Sequence, residues 1–114
     1  MEIEPCRGEI WLVDLNPGRG HEQIGTRPAL IISVDLFNHG PAGLVVVVPL
    51  TTRQKGIPFH VKIEPPEGGV KNVSFIKCED VRSITKERLI EKWGVVTPAT
   101  LSGVEARLKI LLGL

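Results

Sequence analysis

Four short segments of this sequence gather the side chains that can do chemistry. The first runs Gly20-His21-Glu22-Gln23-Ile24-Gly25-Thr26-Arg27-Pro28. It holds a histidine, a carboxylate and an amide between two glycines that free the backbone. Arg27 follows at the mouth of an apolar run, with Pro28 fixing the entry. A guanidinium placed there matches two phosphate oxygens with its fork and stays charged. A solvated loop with a surface arginine is the plain alternative. The second segment is Thr51-Thr52-Arg53-Gln54-Lys55, directly after another apolar run. Two hydroxyls and two cations at a strand end can hold a phosphate and neutralise it. An exposed turn with polar caps fits the same residues. The third is Lys77-Cys78-Glu79-Asp80 with Arg82. Strand alternation puts Lys77 and Glu79 on one face, a cation and a base together, and turns Cys78 toward the core. A surface ion pair is the alternative. The fourth is His60. On an alternating strand it shares a face with Lys62, so it is expected to face solvent rather than take part in catalysis.

Other chemistries are poorly served. Cys6 and Cys78 make no CxxC pair, and three scattered histidines (His21, His39, His60) have no metal-ligand spacing. No metal and no cofactor is expected. The aromatics are Trp11, Phe37, Phe59, Phe75 and Trp93, most of them inside apolar runs. They read as core rather than as a stacking platform for single strands, with Phe37 and Phe59 the exceptions. The net charge of +1 does not mark a nucleic-acid binder and leaves room only for a local basic patch.

These groups need rigid elements to hold them. Glu9–Leu15 is a β-rich run broken by Asn16-Pro17-Gly18. Pro28–Ser33 and Leu44–Pro49 have the length of buried strands. Asp35–His39 suits one helical turn. His60–Ile63 alternates, Val73–Cys78 and Val81–Ile84 suit two further strands, and Trp93–Val96 a last short one. Thr51–Pro58 and Pro65–Asn72 are polar loops. At the C-terminus Thr97 supplies an N-cap and Pro98 a first helical residue. Leu101, Val104, Leu108 and Leu111 then form a helical stripe that stops at Gly113. With 114 residues and no dividing linker, residues 1–114 are expected to form one domain. The fold class is mainly β (α+β): a small, strongly bent, SH3-like β-barrel with a C-terminal helix and one or two short helices. Met1–Arg7 has no apolar core of a signal peptide, and Leu44–Val48, the longest apolar run, is too short to span a bilayer. The expectation is a soluble, cytoplasmic chain with reduced thiols.

Set end to end, these pieces resemble the MazF/PemK (Kid) family of toxin endoribonucleases. The resemblance begins at RGEIWLVDLNP, runs into GHEQIGTRPALII, and includes VVVVPLTT with the basic loop and Ile57-Pro58-Phe59 behind it. It continues in KCEDVRSI and the final helix, and so covers roughly the whole chain in order. The G-x-E-Q-x-G-x-R-P segment is its most specific part. The resemblance implies a dimeric SH3-like barrel that cuts single-stranded RNA at short sequences without metal. Attack of a ribose 2′-OH on the adjacent phosphate leaves a 2′,3′-cyclic phosphate and a 5′-OH, and loss of mRNA inhibits translation. It also implies a cognate antitoxin whose disordered tail fills the RNA groove, and operator DNA bound only through the antitoxin complex. Carried over residue by residue, the catalytic set is Arg27, Thr51, Glu79 and His21. Glu22, Gln23, Thr52, Arg53, Lys55, Phe59 and Lys77 would contact RNA. Where some members have an Arg-Cys-Asp triplet acting as acid and base, this chain has Lys77 and Glu79. Glu79 or His21 is the general base, with Glu79 preferred because it takes the triplet's carboxylate position. A non-catalytic binding module on the same barrel, such as a CcdB-like gyrase-binding toxin or a degenerate toxin, is the rival reading.

Overall fold

A computed structural model describes residues 4–16 and 25–114 of the chain. His21, Glu22 and Gln23 lie outside them. The strands are β1 (Glu9–Asp14), β2 (Thr26–Ile31), β3 (Leu44–Thr51), β4 (His60–Ile63), β5 (Ser74–Lys77), β6 (Arg82–Thr85) and β7 (Leu89–Val95). The helices are α1 (Asp35–Asn38) and α2 (Pro98–Leu112), and three 3-10 turns link the later strands.

All seven strands join one antiparallel sheet in the order β4-β5-β3-β2-β1-β7, with β6 also on β3. The sheet bends strongly but does not close into the expected barrel: β4 and β7 stand at its two ends. β7 is longer than the sequence suggested. Its charged, exposed residues Glu91 and Lys92 hide the alternation, and two bulges interrupt its pairing with β1. Charges of this kind are what an open sheet edge carries against further pairing.

Because side chains alternate along each strand, the bent sheet has two apolar faces. One carries Leu30, Val48, Leu50, Ile63 and Ile76, covered by Val104 and Leu108 of α2. The other carries Val13, Ala29, Ile31, Val45, Val47, Ile84 and Leu89. The α2 ends follow the sequence signals. The Thr97 hydroxyl accepts the Thr100 N–H at 3.2 Å, and Gly113 adopts a left-handed φ of 72° while Leu114 N–H bonds back to Lys109 O. The expected stripe is only partly buried, since Ile110, Leu111 and Leu112 lie exposed beyond the core.

Two close approaches fix the sheet's β7 end. At Gly69, with φ 75°, a Cβ would lie 2.2 Å from the Trp93 carbonyl oxygen; at Gly94 it would lie 2.8 Å from the Gly68 backbone. Only glycine lets the Glu67–Gly69 turn lie against β7. At the start of β1, the Glu9 carboxylate is a buried tie. Its Oε1 accepts the Cys6 N–H at 2.8 Å and the Trp11 indole N–H at 2.9 Å, and its Oε2 meets Lys92 Nζ at 2.9 Å. Burial pushes this carboxyl up, but Lys92, Trp11 and Cys6 together outweigh it and hold the pKa below the ordinary 4.5.

The stability that the Glu9 charge contributes is complete above the unfolded-state value and disappears as pH falls through the lower folded-state value. Glu9→Gln is therefore expected to lose about 1.5–3 kcal/mol at pH 7, the scale of hydrogen bonds to a charged group. Urea denaturation of both proteins as pH is lowered from 7 should show the two stabilities converging only below about 4.5.

Candidate active site

Arg27 and Thr51 are held by neighbouring strands in one register. β2 and β3 pair Ile31 with Val47, Leu30 with Val48 and Ala29 with Pro49, and Arg27 and Thr51 each lie two residues beyond the last pair, on its side of the sheet by strand alternation. Thr51 in turn pairs with Phe75 of β5. Cross-strand partners project to the same side, so Thr51 and Phe75 share a face, and alternation from Ala29 and Pro49 puts Arg27 on that face too. That row continues the face of Ala29, Ile31, Val45 and Val47, which becomes polar where the second core ends. Thr51 is buried and its hydroxyl accepts the Arg53 N–H at 3.2 Å, which turns the chain out of the strand. Thr52, Arg53 and Lys55 follow on the exposed loop, and Phe59 is half buried.

The Arg27 end is anchored from the other side. Leu15 N–H bonds to Gly25 O at 3.0 Å, and the Asn16 side-chain oxygen accepts the Gly25 N–H at 2.9 Å. Gly25 has φ 79°, so glycine is required where the first loop returns to β2. Arg88 reinforces this base by donating to the carbonyls of Asp14 and Asn16.

The third segment is built differently from the sequence expectation. β5 stops at Lys77, and Cys78–Asp80 form a 3-10 turn. Lys77 and Glu79 therefore do not alternate along one strand, nor do they pair with each other. Lys77 is buried, and its ammonium pairs with Asp80 Oδ2 at 2.9 Å. Glu79 instead reaches back to His60, with Oε2 2.8 Å from Nε2. His60 is thus not solvent-facing: its side chain is 4% exposed, against 56% for Lys62 on the same strand. The register explains the difference. His60 lies opposite Lys77, the last residue before the turn, and the turn folds Glu79 over it. Glu79 itself is 29% exposed and lines a small cleft with Asp80, Val81 and Arg82. His60 and Asp80 are the members of this site that sequence reasoning missed. The signal available was the pairing of a four-residue strand with the KCED segment, which composition alone does not register.

Cys78 is buried as expected, and burial drives its thiol pKa up to about 11. That removes it as a nucleophile near neutral pH. Among the described residues, one group has its ligand atoms within 4.8 Å of one another: Cys6, Asp35 and His39. The spacing in sequence hid it. Its atoms already serve the fold, since Asp35 accepts the Arg7 N–H at 2.7 Å and His39 Nε2 faces the Pro5 carbonyl at 2.8 Å. None of the three belongs to the row around Arg27.

Residues 6–112 match the family model described as the PemK-like, MazF-like toxin of type II toxin-antitoxin systems. The chain belongs to the PemK/MazF-like toxin family. It is 38% identical over 113 residues to Endoribonuclease MazF9 of Mycobacterium tuberculosis, covering 95% of this chain and 96% of that protein. Its fold superposes on MazF from Deinococcus radiodurans with a TM-score of 0.88 at 32% identity, over 99% of this chain and 100% of the other. It also matches a mycobacterial endoribonuclease solved with its cognate antitoxin, with a TM-score of 0.80 at 30% identity and 96% of each chain covered. In this PemK/MazF-like chain no described helix is long and apolar enough to cross a membrane.

The two thiols provide a direct check on the site's packing. Cys6 is half exposed, while Cys78 is enclosed with a pKa near 11. Iodoacetamide at pH 8 is expected to modify Cys6 in the native protein, slowly because burial and then Glu9 and Asp35 raise its pKa too. Cys78 should react only after denaturation, as read by peptide mass spectrometry.

Proposed function

We propose that this PemK/MazF-like toxin is a metal-independent, sequence-specific endoribonuclease that cuts single-stranded RNA and thereby stops translation. The observation that carries the reading is that Arg27 and Thr51 lie on one face just beyond the paired stretch of β2 and β3, with Lys77 and Glu79 at the adjoining strand end. A module that only binds has no need of a phosphate fork, a buried hydroxyl and a half-buried carboxylate base at adjoining strand ends.

The reaction asks for three things: a base for the 2′-OH proton, donors for charge gathering on phosphorus, and a proton for the departing 5′-oxygen. Glu79 takes the 2′-OH proton. The 2′-oxygen then forms its bond to phosphorus while the bond to the 5′-oxygen breaks. Arg27 spans two phosphoryl oxygens, and the Thr51 hydroxyl donates to one of them. Arg27 is unsuited as the base, because a guanidinium does not give up its proton in proteins. The Lys77 ammonium supplies the proton or the charge that the leaving oxygen needs. His21, outside the described residues, is the competing base. Glu22, Gln23, Thr52, Arg53, Lys55 and Phe59 contact the flanking nucleotides and set sequence preference.

The partners follow from the same reading. A cognate antitoxin covers the RNA groove, and operator DNA is met only through that complex. The toxin works in the cytoplasm as a homodimer. Support for the dimer comes from apolar surface that one copy leaves bare: Val34, Leu36 and Phe37, all exposed, line one apolar groove with Pro41 and Ala42. Exposed apolar area of this kind marks association surfaces. Light scattering at micromolar concentration is expected to give twice 12.5 kDa, and a persistent 12.5 kDa species would contradict the dimer.

Arg27→Ala should slow cleavage of a long, many-context RNA in EDTA by about 10³-fold, the scale of one lost preorganised donor. Arg27→Lys should not restore it, because a point charge cannot bridge two oxygens. RNA binding by both variants should fall far less, since Arg53, Lys55 and Lys77 share the phosphate contacts. Full rates in folded Arg27→Ala and Thr51→Ala, or activity lost in EDTA and restored by magnesium, would overturn the proposal.

A further inference from the structure

The His60–Glu79 contact is a second layer behind the proposed base, and we propose that His60 is the residue that positions Glu79 for proton abstraction. This inference rests on the endoribonuclease reading above and adds to it a residue that acts through Glu79.

The geometry is directional. Glu79 Oε2 lies 2.8 Å from His60 Nε2. A carboxylate can only accept, so the imidazole carries its proton on Nε2 and donates it. That bond occupies one carboxylate oxygen and fixes the plane of the group. The other oxygen, Oε1, is buried and has no hydrogen-bond partner among the described residues. A buried carboxylate oxygen without a donor is costly unless something arrives to satisfy it. A substrate hydroxyl is such a donor, and it would find Oε1 already oriented. Glu79 also lines the cleft with Asp80, Val81 and Arg82, so a ligand can approach from that side.

The imidazole itself is locked. Its side chain is 4% exposed, and Nδ1, also buried, lacks a partner among the described residues. β4 is pinned to β5 by the pairing of His60 with Lys77, and to α2 through Arg107, which donates to the Pro58 carbonyl at 3.0 Å. Of the other charged groups nearby, Arg82 lines the same cleft as Glu79. Lys77 is held by Asp80 at 2.9 Å, Cys78 is a neutral thiol on the core side, and Lys62 points to solvent with Glu64 at 3.4 Å. His60 is therefore the donor that meets the Glu79 carboxylate from behind. Orientation by an outer partner is worth a good deal in such sites, because misplacing a proton acceptor by an ångström forfeits much of the advantage of a held geometry.

The test compares His60→Leu, His60→Gln and Glu79→Gln, each checked for folding by thermal melting. The substrate is an RNA oligonucleotide carrying the mapped cleavage site, with EDTA present. His60→Leu is expected to lower kcat about 10- to 100-fold with KM within about twofold, as for loss of an outer orienting partner. His60→Gln places an amide N–H near the Nε2 position and should hold kcat within about fivefold of wild type. The double variant His60→Leu/Glu79→Gln should be no slower than Glu79→Gln alone, since both act through one group. If His60→Leu does not fold, His60→Asn replaces it, its amide being too short to reach Glu79. A folded His60→Leu or His60→Asn with wild-type kcat, a change confined to KM, or a Gln variant as slow as the Leu variant would each overturn the positioning role. Wild-type cleavage by Glu79→Gln would instead sink the underlying assignment of Glu79 as base.

Discussion

One strand, β3, is hydrogen-bonded to three others, and the point where its outer edge changes partner decides where the candidate site is built. Residues Leu44–Val47 pair with β6, and Leu50–Thr51 pair with β5. Between them lie Val48 and Pro49. Pro49 has no N–H to give to a ladder, so an uninterrupted outer pairing cannot pass through it. The chain between β5 and β6 uses that gap to make the Cys78–Asp80 turn. Lys77, Glu79 and Asp80 are thereby delivered beside the strand that ends in Thr51. On its inner edge β3 still pairs with β2 through Pro49, opposite Ala29, which keeps Arg27 and Thr51 on one face.

The two apolar faces make this arrangement stiff. A sheet with a core on one side only would leave the Arg27–Thr51 row on a free surface. Here Ala29, Ile31, Val45 and Val47 are packed on that same face, so the row sits at the rim of a core and its backbone cannot drift. Burial also sharpens the electrostatics. Lys77 and His60 lie where water is scarce, and charge interactions there exceed those of solvated surface pairs. Each is met by its own carboxylate, Asp80 or Glu79, so neither buried donor faces the site alone. The exposed cations of the Thr51–Pro58 loop stand outside this enclosure. In the proposed reading they would hold the phosphates of a chain that passes over the rim.

Much of this was legible in the sequence by itself. The strand beginning at Leu44, the capped and glycine-terminated α2, the buried Cys78 and the placing of Arg27 and Thr51 at strand ends all rest on local signals. Those signals are apolar run length, helix-end chemistry, and residue types at strand ends, and tertiary context did not override them. β7 was only half visible, because an edge strand rich in charge does not alternate cleanly. The alternation drawn through Lys77, Cys78 and Glu79 failed because the strand stops at Lys77, where a longer-range switch of β3's partner takes over. The tertiary structure alone decided that His60 is enclosed, that Glu79 belongs to it and Asp80 to Lys77, and that the sheet bends without closing. Most of those outcomes depend on which strands lie side by side, a property of contacts between residues distant in sequence, as with His60 and Glu79; the Lys77–Asp80 pair spans only three residues and depends on the turn that ends β5. Local periodicity carries no record of such contacts.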